Sequence, residues 1–212
     1  MKDLYIIGSG GFGREVAWCV ERINDVTPTW NLKGFIDDNE TKWKTKEDGY
    51  IVLGDCEYLK QQENAYAVCA VGNAKVRKQI IEKLSNSGVR FATIVDPSVI
   101  LSKRVSIGEG TIICAGTIAT VDISIGKHVI INLDCTLGHD DVIGDFVTIY
   151  PSVNVSGNVI IEECCEFGTG AQMIQGKKIV KNTIVGAGAV VIRDINDGGT
   201  YVGSPARKML RG

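Results

Sequence analysis

The most constraining feature of this chain is an apolar residue at every sixth position from residue 101 to residue 191. An amphipathic helix repeats about every 3.6 residues and a half-buried strand about every two, so neither produces this pattern. A strict period of six is typical of a β-helix built from hexapeptides, each a short strand and a bend. The sixteen positions are Leu101, Ile107, Ile113, Ala119, Ile125, Ile131, Leu137, Ile143, Ile149, Val155, Ile161, Phe167, Met173, Ile179, Val185 and Val191.

The first 96 residues follow a different pattern, in which apolar strands alternate with helical segments. The predicted strands are Leu4–Ile7, Leu32–Ile36, Ile51–Leu53, Tyr66–Val71 and Phe91–Val95, and the predicted helices are 14–23 and Ala74–Leu84, the latter with an apolar face of Val76, Ile80, Ile81 and Leu84. Strand–helix alternation predicts a small parallel α/β sheet. Asp96-Pro97 marks the boundary, because a residue before proline favours extended backbone. We therefore expect domains at 1–96 and 97–212.

A glycine-rich loop follows the first strand and precedes the first helix. Gly8-Ser9-Gly10-Gly11-Phe12-Gly13 has the dinucleotide-binding spacing, and Asp37 lies near the distance expected of an acidic ribose partner. Glycines in such a loop let backbone amides approach a phosphate at a helix N-terminus. The pyrophosphate of NAD or of a nucleotide-sugar would satisfy the loop equally, and a tight turn that binds no ligand would also explain it.

Charge and composition exclude several classes of function. The chain has 23 basic and 25 acidic residues and no basic stripe, so we expect no nucleic-acid partner. No apolar run reaches the roughly 20 residues of a membrane span, and the N-terminus is unlike a signal peptide, so we expect a cytoplasmic protein. The seven cysteines form no C-x-x-C pair, so we expect buried thiols and no metal site.

Several motifs together resemble one family, the sugar acyltransferases that include sialic acid O-acetyltransferases and UDP-4-amino-sugar N-acetyltransferases (the NeuD and PglD type). They are the glycine loop, Gly34-Phe35-Ile36-Asp37-Asp38, Val71-Gly72-Asn73, Asn132, Gly138-His139-Asp140-Asp141-Val142-Ile143-Gly144-Asp145-Phe146 and Tyr201-Val202-Gly203-Ser204-Pro205-Ala206-Arg207. The resemblance implies a Rossmann-like α/β domain followed by a left-handed, three-sided parallel β-helix closed by a C-terminal cap. On that geometry, residues 18 apart stack on successive coils.

The resemblance also implies a function. We expect an acetyl-CoA-dependent acyltransferase, a homotrimer without a metal, that acetylates the amine of a nucleotide-linked 4-amino-sugar in bacterial surface-glycan biosynthesis. O-acetylation of a sialic acid-type sugar is the second hypothesis. The glycine loop would also fit a non-catalytic nucleotide-sugar-binding protein or an NAD-dependent oxidoreductase.

The family pattern assigns the general base to His139, one of only two histidines. An imidazole titrates near 6.5 and can accept a proton at neutral pH. The pattern favours Asp140 as its partner, but Asp141 stays an alternative, because it occupies a repeat position that is otherwise almost always small or β-branched. Gly157, 18 residues after His139, should leave room for a substrate. His128, the second histidine, is expected at the surface.

The same family pattern assigns the binding residues. The acceptor is expected at Gly10, Gly11, Phe12, Asp37, Asp38, Gly72, Asn73 and Asn132, and coenzyme A at Thr148, Gly157, Thr169 and Ala187. Thr148 stands where relatives of the bacillosamine type carry a second histidine, so the acceptor sugar is left open.

Overall fold

The computed structural model describes residues 1–209, and the chain divides into two compact units, Met1–Pro97 and Ser98–Gly212. The predicted boundary lies one residue earlier. Within the described part, no helix is long and apolar enough to cross a bilayer.

The first unit is an α/β domain. Its elements are β1 (Lys2–Ile7), α1 (Gly11–Val26), β2 (Trp30–Ile36), a 3-10 turn (Glu40–Lys42), β3 (Lys46–Glu47), β4 (Tyr50–Gly54), α2 (Cys56–Lys60), β5 (Tyr66–Cys69), α3 (Ala74–Leu84), β6 (Arg90–Phe91) and β7 (Ile94–Val95). The sheet order is β3-β4-β2-β1-β5-β6, parallel except for the β3–β4 pair. Adjacent parallel strands β2, β1 and β5 end at the same edge, where ligands bind in open α/β sheets.

Two predictions for this unit are wrong in detail. The single strand predicted over Phe91–Val95 is two strands, because Phe91 pairs with Ala67 and β7 is a separate two-residue strand. The predicted apolar face of α3 is only partly right, since Ile81 and Leu84 are buried but Val76 is not. Val76 is 44% exposed, whereas Arg77 is fully buried.

The second unit is a three-sided parallel β-helix, which we call the prism. Its strands are β8 (Ile100–Leu101), β9 (Ser106–Ile107), β10 (Ile112–Ile113), β11 (Ile118–Ala119), β12 (Ser124–Ile125), β13 (Ile130–Ile131), β14 (Thr136–Leu137), β15 (Val142–Ile143), β16 (Thr148–Ile149), β17 (Asn154–Val155), β18 (Ile160–Ile161), β19 (Glu166–Phe167), β20 (Gln172–Met173), β21 (Lys178–Ile179), β22 (Thr183–Val185), β23 (Val190–Val191), β24 (Gly199–Val202) and β25 (Arg207–Lys208).

From β8 to β23, each face of the prism is a ladder of every third strand, and β24 and β25 extend one of the faces. One face contains β10, β13, β16, β19, β22, β24 and β25, the next β8, β11, β14, β17, β20 and β23, and the third β9, β12, β15, β18 and β21. The strands pair in an 18-residue register, as in Leu137 with Val155. From Ile113 to Val191 every sixth residue is buried, so the hexapeptide period is the core of the prism.

The bends between faces require left-handed backbone at their third residue. Asp140, for example, has φ +62°, and Asn158 in the next coil has φ +60°. Asp, Asn and Gly adopt this region most readily. This requirement explains part of the glycine content of the repeats. Other glycines, such as Gly138, lack left-handed backbone and are needed because a Cβ atom would collide with the next coil.

Candidate active site

The bend between β14 and β15 carries a histidine beside a carboxylate. His139 Nδ1 lies 2.7 Å from Asp140 Oδ2, and both side chains are more than half exposed. Asp140 is held by its amide, which donates to the carbonyl of Val121 in the preceding coil. When Nδ1–H donates to the carboxylate, Nε2 is the nitrogen with a free lone pair. The arrangement can therefore accept a proton at Nε2 and stabilise the resulting imidazolium.

The His139 ring rests on the next coil. A Cβ atom placed on Gly157 would lie 2.6 Å from His139 Nε2, and the Asn158 amide donates to the His139 carbonyl at 2.6 Å. The space above Gly157, expected to admit a substrate, is therefore occupied by the imidazole itself. Gly157 is needed because the ring passes over its backbone.

Asp141 does not pair with His139. Its side chain faces the prism interior and has no exposed surface, and its Oδ1 accepts a hydrogen bond from the Val159 amide at 2.9 Å. Burial raises the pKa of Asp141 to about 7, against the opposing effect of the Val159 and Gly138 amides. Asp140 is thus the carboxylate beside the imidazole.

The prediction that His128 is a surface residue is wrong. It is 4% exposed and stacks on Phe146, with ring centroids 5.2 Å apart. The 18-residue register explains this, because it places Gly110 and Phe146 on either side of His128. A Cβ atom on Gly110 would collide with the imidazole, so the ring lies over that glycine. His128 belongs to a different bend from His139.

Three predicted residues share another edge of the prism. Asn132, Thr169 and Ala187 all lie in bends between the β10-containing and β8-containing faces. The Gly188 amide donates to the Thr169 carbonyl, which links the coils of Thr169 and Ala187. Asn132 is almost buried, and its Oδ1 accepts from the Leu133 amide at 2.7 Å.

We call the column of bends with Asn132, Thr169 and Ala187 the threonine edge, and the column with His139 and Gly157 the histidine edge. The face containing β14, β17 and β20 separates them. The structure therefore does not bring all predicted prism residues together. Thr148 lies on neither edge and has no exposed surface, so the single chain offers its side chain to no ligand.

The sheet edge of the first unit contains a cavity of about 230 Å³. Its walls are Ile7, Gly8, Ile36, Asp37, Asp38, Cys56, Val71, Val76 and Ile80. Gly10 is the N-cap of α1 and provides no side-chain cap, and a Cβ on Gly10 or Gly11 would meet nothing within 4 Å. The first amides of α1 are therefore open to an anion. Gly13 has another role, because a Cβ there would collide with the Gly8 carbonyl.

Asp37 is occupied by the protein rather than free for a ribose. Its Oδ2 accepts from the Ser9 amide at 3.1 Å and from Ser9 Oγ at 2.5 Å, and its Oδ1 accepts from the Asn39 amide at 3.0 Å. Burial opposes ionisation, but the hydrogen bonds from Ser9 and Asn39 and the nearby Lys42 lower the pKa of Asp37 below its ordinary value. Asp37 fastens the glycine loop, whereas Asp38 is exposed, 4.0 Å from Lys83 Nζ.

The Gly72–Asn73 segment is held by Arg77, a residue that the sequence motifs do not include. Arg77 Nη1 donates to the carbonyls of Val71 and Gly72 at 2.7 and 3.0 Å. Asn73 caps α3, since its Oδ1 accepts from the Val76 amide. Phe12 is half-buried beside the glycine loop. A signal for Arg77 exists in the sequence, because Arg77 is three residues after Ala74 and four before Ile81, on their face of α3.

No group of three or more His, Cys, Asp or Glu side chains within residues 1–209 is placed to hold a metal ion. All seven cysteines are free and buried, as the sequence predicts.

Comparison with known proteins decides the family. Residues 3–84 match the family model described as the PglD N-terminal domain. The chain is 32% identical to the GDP-perosamine N-acetyltransferase of Escherichia coli O157:H7, over 99% of this chain and 97% of that protein. The chain belongs to the PglD-type sugar acyltransferase family.

Solved structures of this family agree along the whole chain. The acetyltransferase domain of PglB from Neisseria gonorrhoeae FA1090, in complex with acetyl coenzyme A, has a TM-score of 0.88 at 30% identity and covers 98% of this chain and 99% of its own. PerB from Caulobacter crescentus, in complex with CoA and GDP-perosamine, has a TM-score of 0.88 at 28% identity and covers 98% and 97%. The predicted family and fold class, an α/β domain followed by a left-handed parallel β-helix, are confirmed.

Proposed function

We propose that this PglD-type protein transfers the acetyl group of acetyl-CoA to the amine of a nucleotide-linked 4-amino-sugar. The observation that carries the proposal is the His139–Asp140 pair, with Nδ1 on the carboxylate and Nε2 free on an exposed bend. The E. coli and C. crescentus relatives act on or bind such substrates. Acetyl-CoA and nucleotide-sugars are cytoplasmic metabolites, so we place the reaction in the cytoplasm and its product in surface-glycan biosynthesis.

His139 is the general base in this reaction. The neutral amine nitrogen attacks the thioester carbonyl carbon, and His139 Nε2 takes the proton that the nitrogen loses. The C–S bond then breaks, and the imidazolium returns the proton to the leaving thiolate, giving the N-acetyl sugar and free coenzyme A. Asp140 keeps Nδ1 protonated and stabilises the imidazolium. General base catalysis of this kind contributes about 10²–10⁴-fold.

The first unit supplies the acceptor site. The open amides at Gly10 and Gly11 suit a diphosphate, and the cavity lined by Asp38 and Val71 suits the base or sugar of the nucleotide. The dinucleotide alternative is disfavoured because both carboxylate oxygens of Asp37 are already hydrogen-bonded within the protein.

We also propose a homotrimer, and the separation of the two prism edges supports a site shared between chains. A coenzyme site that uses both the histidine edge and the threonine edge needs two chains, since one face lies between them in a single prism. Outward side chains of two faces are apolar and exposed, including Ile118, Val142 and Ile160. Such sides are typical of interfaces between copies. We propose that three copies pack around a three-fold axis, each pair completing one site.

Thiol release from acetyl-CoA tests the reaction. The acceptors are GDP-, UDP- and dTDP-linked 4-amino-sugars, with a free sialic acid as the hydroxyl acceptor. NADH binding is measured separately, by tryptophan fluorescence. We expect turnover with at least one nucleotide-linked 4-amino-sugar and no saturable NADH signal. Release that depends only on sialic acid would replace N- with O-acetylation, and NADH binding without any thiol release would contradict the proposal.

A further inference from the structure

One position of the hexapeptide, which we call the inner slot, lies four residues after each of the sixteen apolar positions. Several polar residues occupy it, and four of them donate a hydrogen bond to an equivalent backbone carbonyl. Thr111 donates to the carbonyl of residue 126 and Thr117 to that of residue 132, at 2.9 and 3.0 Å. Cys135 and Cys165 donate to the carbonyls of residues 150 and 180, both at 3.2 Å. Each of these four acceptors is 15 residues ahead, in the next coil, whereas Thr183, also in the slot, donates to the Val180 carbonyl of its own coil at 2.6 Å.

The same slot also accepts a hydrogen bond. The oxygen of Thr111 accepts from the Val129 amide at 3.1 Å, and that of Thr117 accepts from the Cys135 amide at 3.4 Å. Both donors are 18 residues ahead. A threonine in the inner slot can therefore act as acceptor and donor at once, as Thr111 and Thr117 do, and so tie its bend to the next coil.

Asp141 occupies the inner slot, two residues after His139. Asp141 makes the accepting hydrogen bond of the slot, because its Oδ1 accepts from the Val159 amide 18 residues ahead. Oδ2 is buried and has no hydrogen-bond partner among residues 1–209. The carbonyl 15 residues ahead belongs to Ser156, next to the Gly157 backbone on which the His139 ring rests. A carboxylate cannot donate a hydrogen bond to this carbonyl, but a carboxylic acid can.

We propose that Asp141 is a positioning residue that works as the neutral acid: its Oδ2 proton is donated to the Ser156 carbonyl and fixes the His139 bend on the coil beneath it. A buried ionised oxygen without a partner would be costly, and protonation removes that cost. The part of the proposal that concerns catalysis rests on the proposed function of His139. The part that concerns the proton does not.

The charges around Asp141 set its pH range. In its own bend, His139 favours the ionised form of Asp141 and Asp140 opposes it. In the preceding coil, Asp122 is exposed and 3.3 Å from an arginine, and Lys177 is two coils further along the column of Asp141. The residues directly before and after Asp141 in its column are apolar.

The pKa of Asp141 is raised by burial to about 7 from an ordinary 3.8, so the folded state binds its proton more tightly than the unfolded state does. The stability that this proton contributes is therefore complete below about pH 4 and is lost as the pH rises towards 7. Above pH 7 the carboxyl proton of Asp141 is lost, so the hydrogen bond to the Ser156 carbonyl breaks and the His139 bend is held less firmly.

The proton is tested without turnover by ¹³C NMR of aspartate-labelled protein between pH 4 and 9. We expect one carboxyl carbon that titrates near neutral pH and is missing in Asp141→Asn. Thermal unfolding of the same proteins from pH 4 to pH 7 should show the midpoint of the wild type falling by several degrees relative to that of Asp141→Asn. The side-chain amide that this substitution introduces can accept and donate a hydrogen bond at every pH in this range. Asp122→Asn, an exposed carboxylate of the preceding coil, is the matched control and should follow the wild type.

Steady-state kinetics test the positioning role. The wild type should lose kcat by up to about tenfold per pH unit above pH 7, whereas Asp141→Asn and Asp141→Thr should not, with the KM for acetyl-CoA equal in all three. If every aspartate titrated below pH 5, the proposed protonation of Asp141 would be refuted. An alkaline limb shared by the wild type and Asp141→Asn would overturn the positioning role. An enzyme inactive on every acceptor would refute the proposed function and leave the NMR result standing.

Discussion

Substituting Gly157 by alanine should displace the base while leaving the fold intact. The new Cβ would lie 2.6 Å from His139 Nε2 and 2.7 Å from Cδ2 and Cε1, whereas ordinary contacts between heavy atoms are about 3.5 Å. The ring must therefore move by roughly 1 Å, which disturbs its 2.7 Å hydrogen bond to Asp140. A misplacement of this size costs about 10²-fold in rate.

The main chain should tolerate this alanine. Gly157 does not have left-handed backbone, so alanine fits its main chain. The clash is with the far end of the His139 side chain, which can rotate away. We therefore expect kcat to fall by about 10²-fold while the thermal midpoint stays unchanged. Gln175→Ala, at the exposed position of the same column in the next coil, should keep full activity. Full activity of Gly157→Ala in stopped-assay thiol release would refute the placement of the imidazole over Gly157.

Three further variants or measurements follow from the site. His139→Ala should lower kcat by about 10²–10⁴-fold, and the loss should shrink at high pH for an amine acceptor, because free amine then forms without a protein base; wild-type turnover would exclude His139 as the base. Gly10→Arg, which has open space for its side chain, should raise the KM for the acceptor far more than the KM for acetyl-CoA, and equal effects on both would mean that the glycine loop does not serve the acceptor. Light scattering at micromolar concentration should give three times the 22.9 kDa chain mass, and a monomeric mass would contradict a site completed by a second copy.

The architecture of the prism could be predicted because its sequence and its structure repeat with the same period. Every sixth residue from Ile113 to Val191 is buried, and the bends need left-handed backbone, which Asp, Asn and Gly supply in most of the coils. The burial of His128 could have been predicted too, since residues 110 and 146 are its neighbours at 18-residue spacing and are glycine and phenylalanine.

Side-chain positions in the α/β unit were harder to predict, because they are determined by tertiary contacts rather than by a repeat. Arg77 is buried since the carbonyls of Val71 and Gly72 need its guanidinium, and Val76 is exposed in exchange. Asp37 has the spacing of a ribose partner, yet the Ser9 hydroxyl and amide occupy it. Spacing along the chain does not reveal which polar groups are already satisfied within the protein.

The most direct test of the central claim is the mass and chemistry of the product. The enzyme is incubated with acetyl-CoA and, in parallel, with a nucleotide-linked 4-amino-sugar and the matching 4-hydroxy sugar. We predict one acetyl group on the amino sugar, stable to alkaline hydroxylamine as an amide is, no product from the hydroxy sugar, and loss of the product with His139→Ala. A hydroxylamine-labile ester on either sugar, or coenzyme A release without any acetylated sugar, would contradict the account.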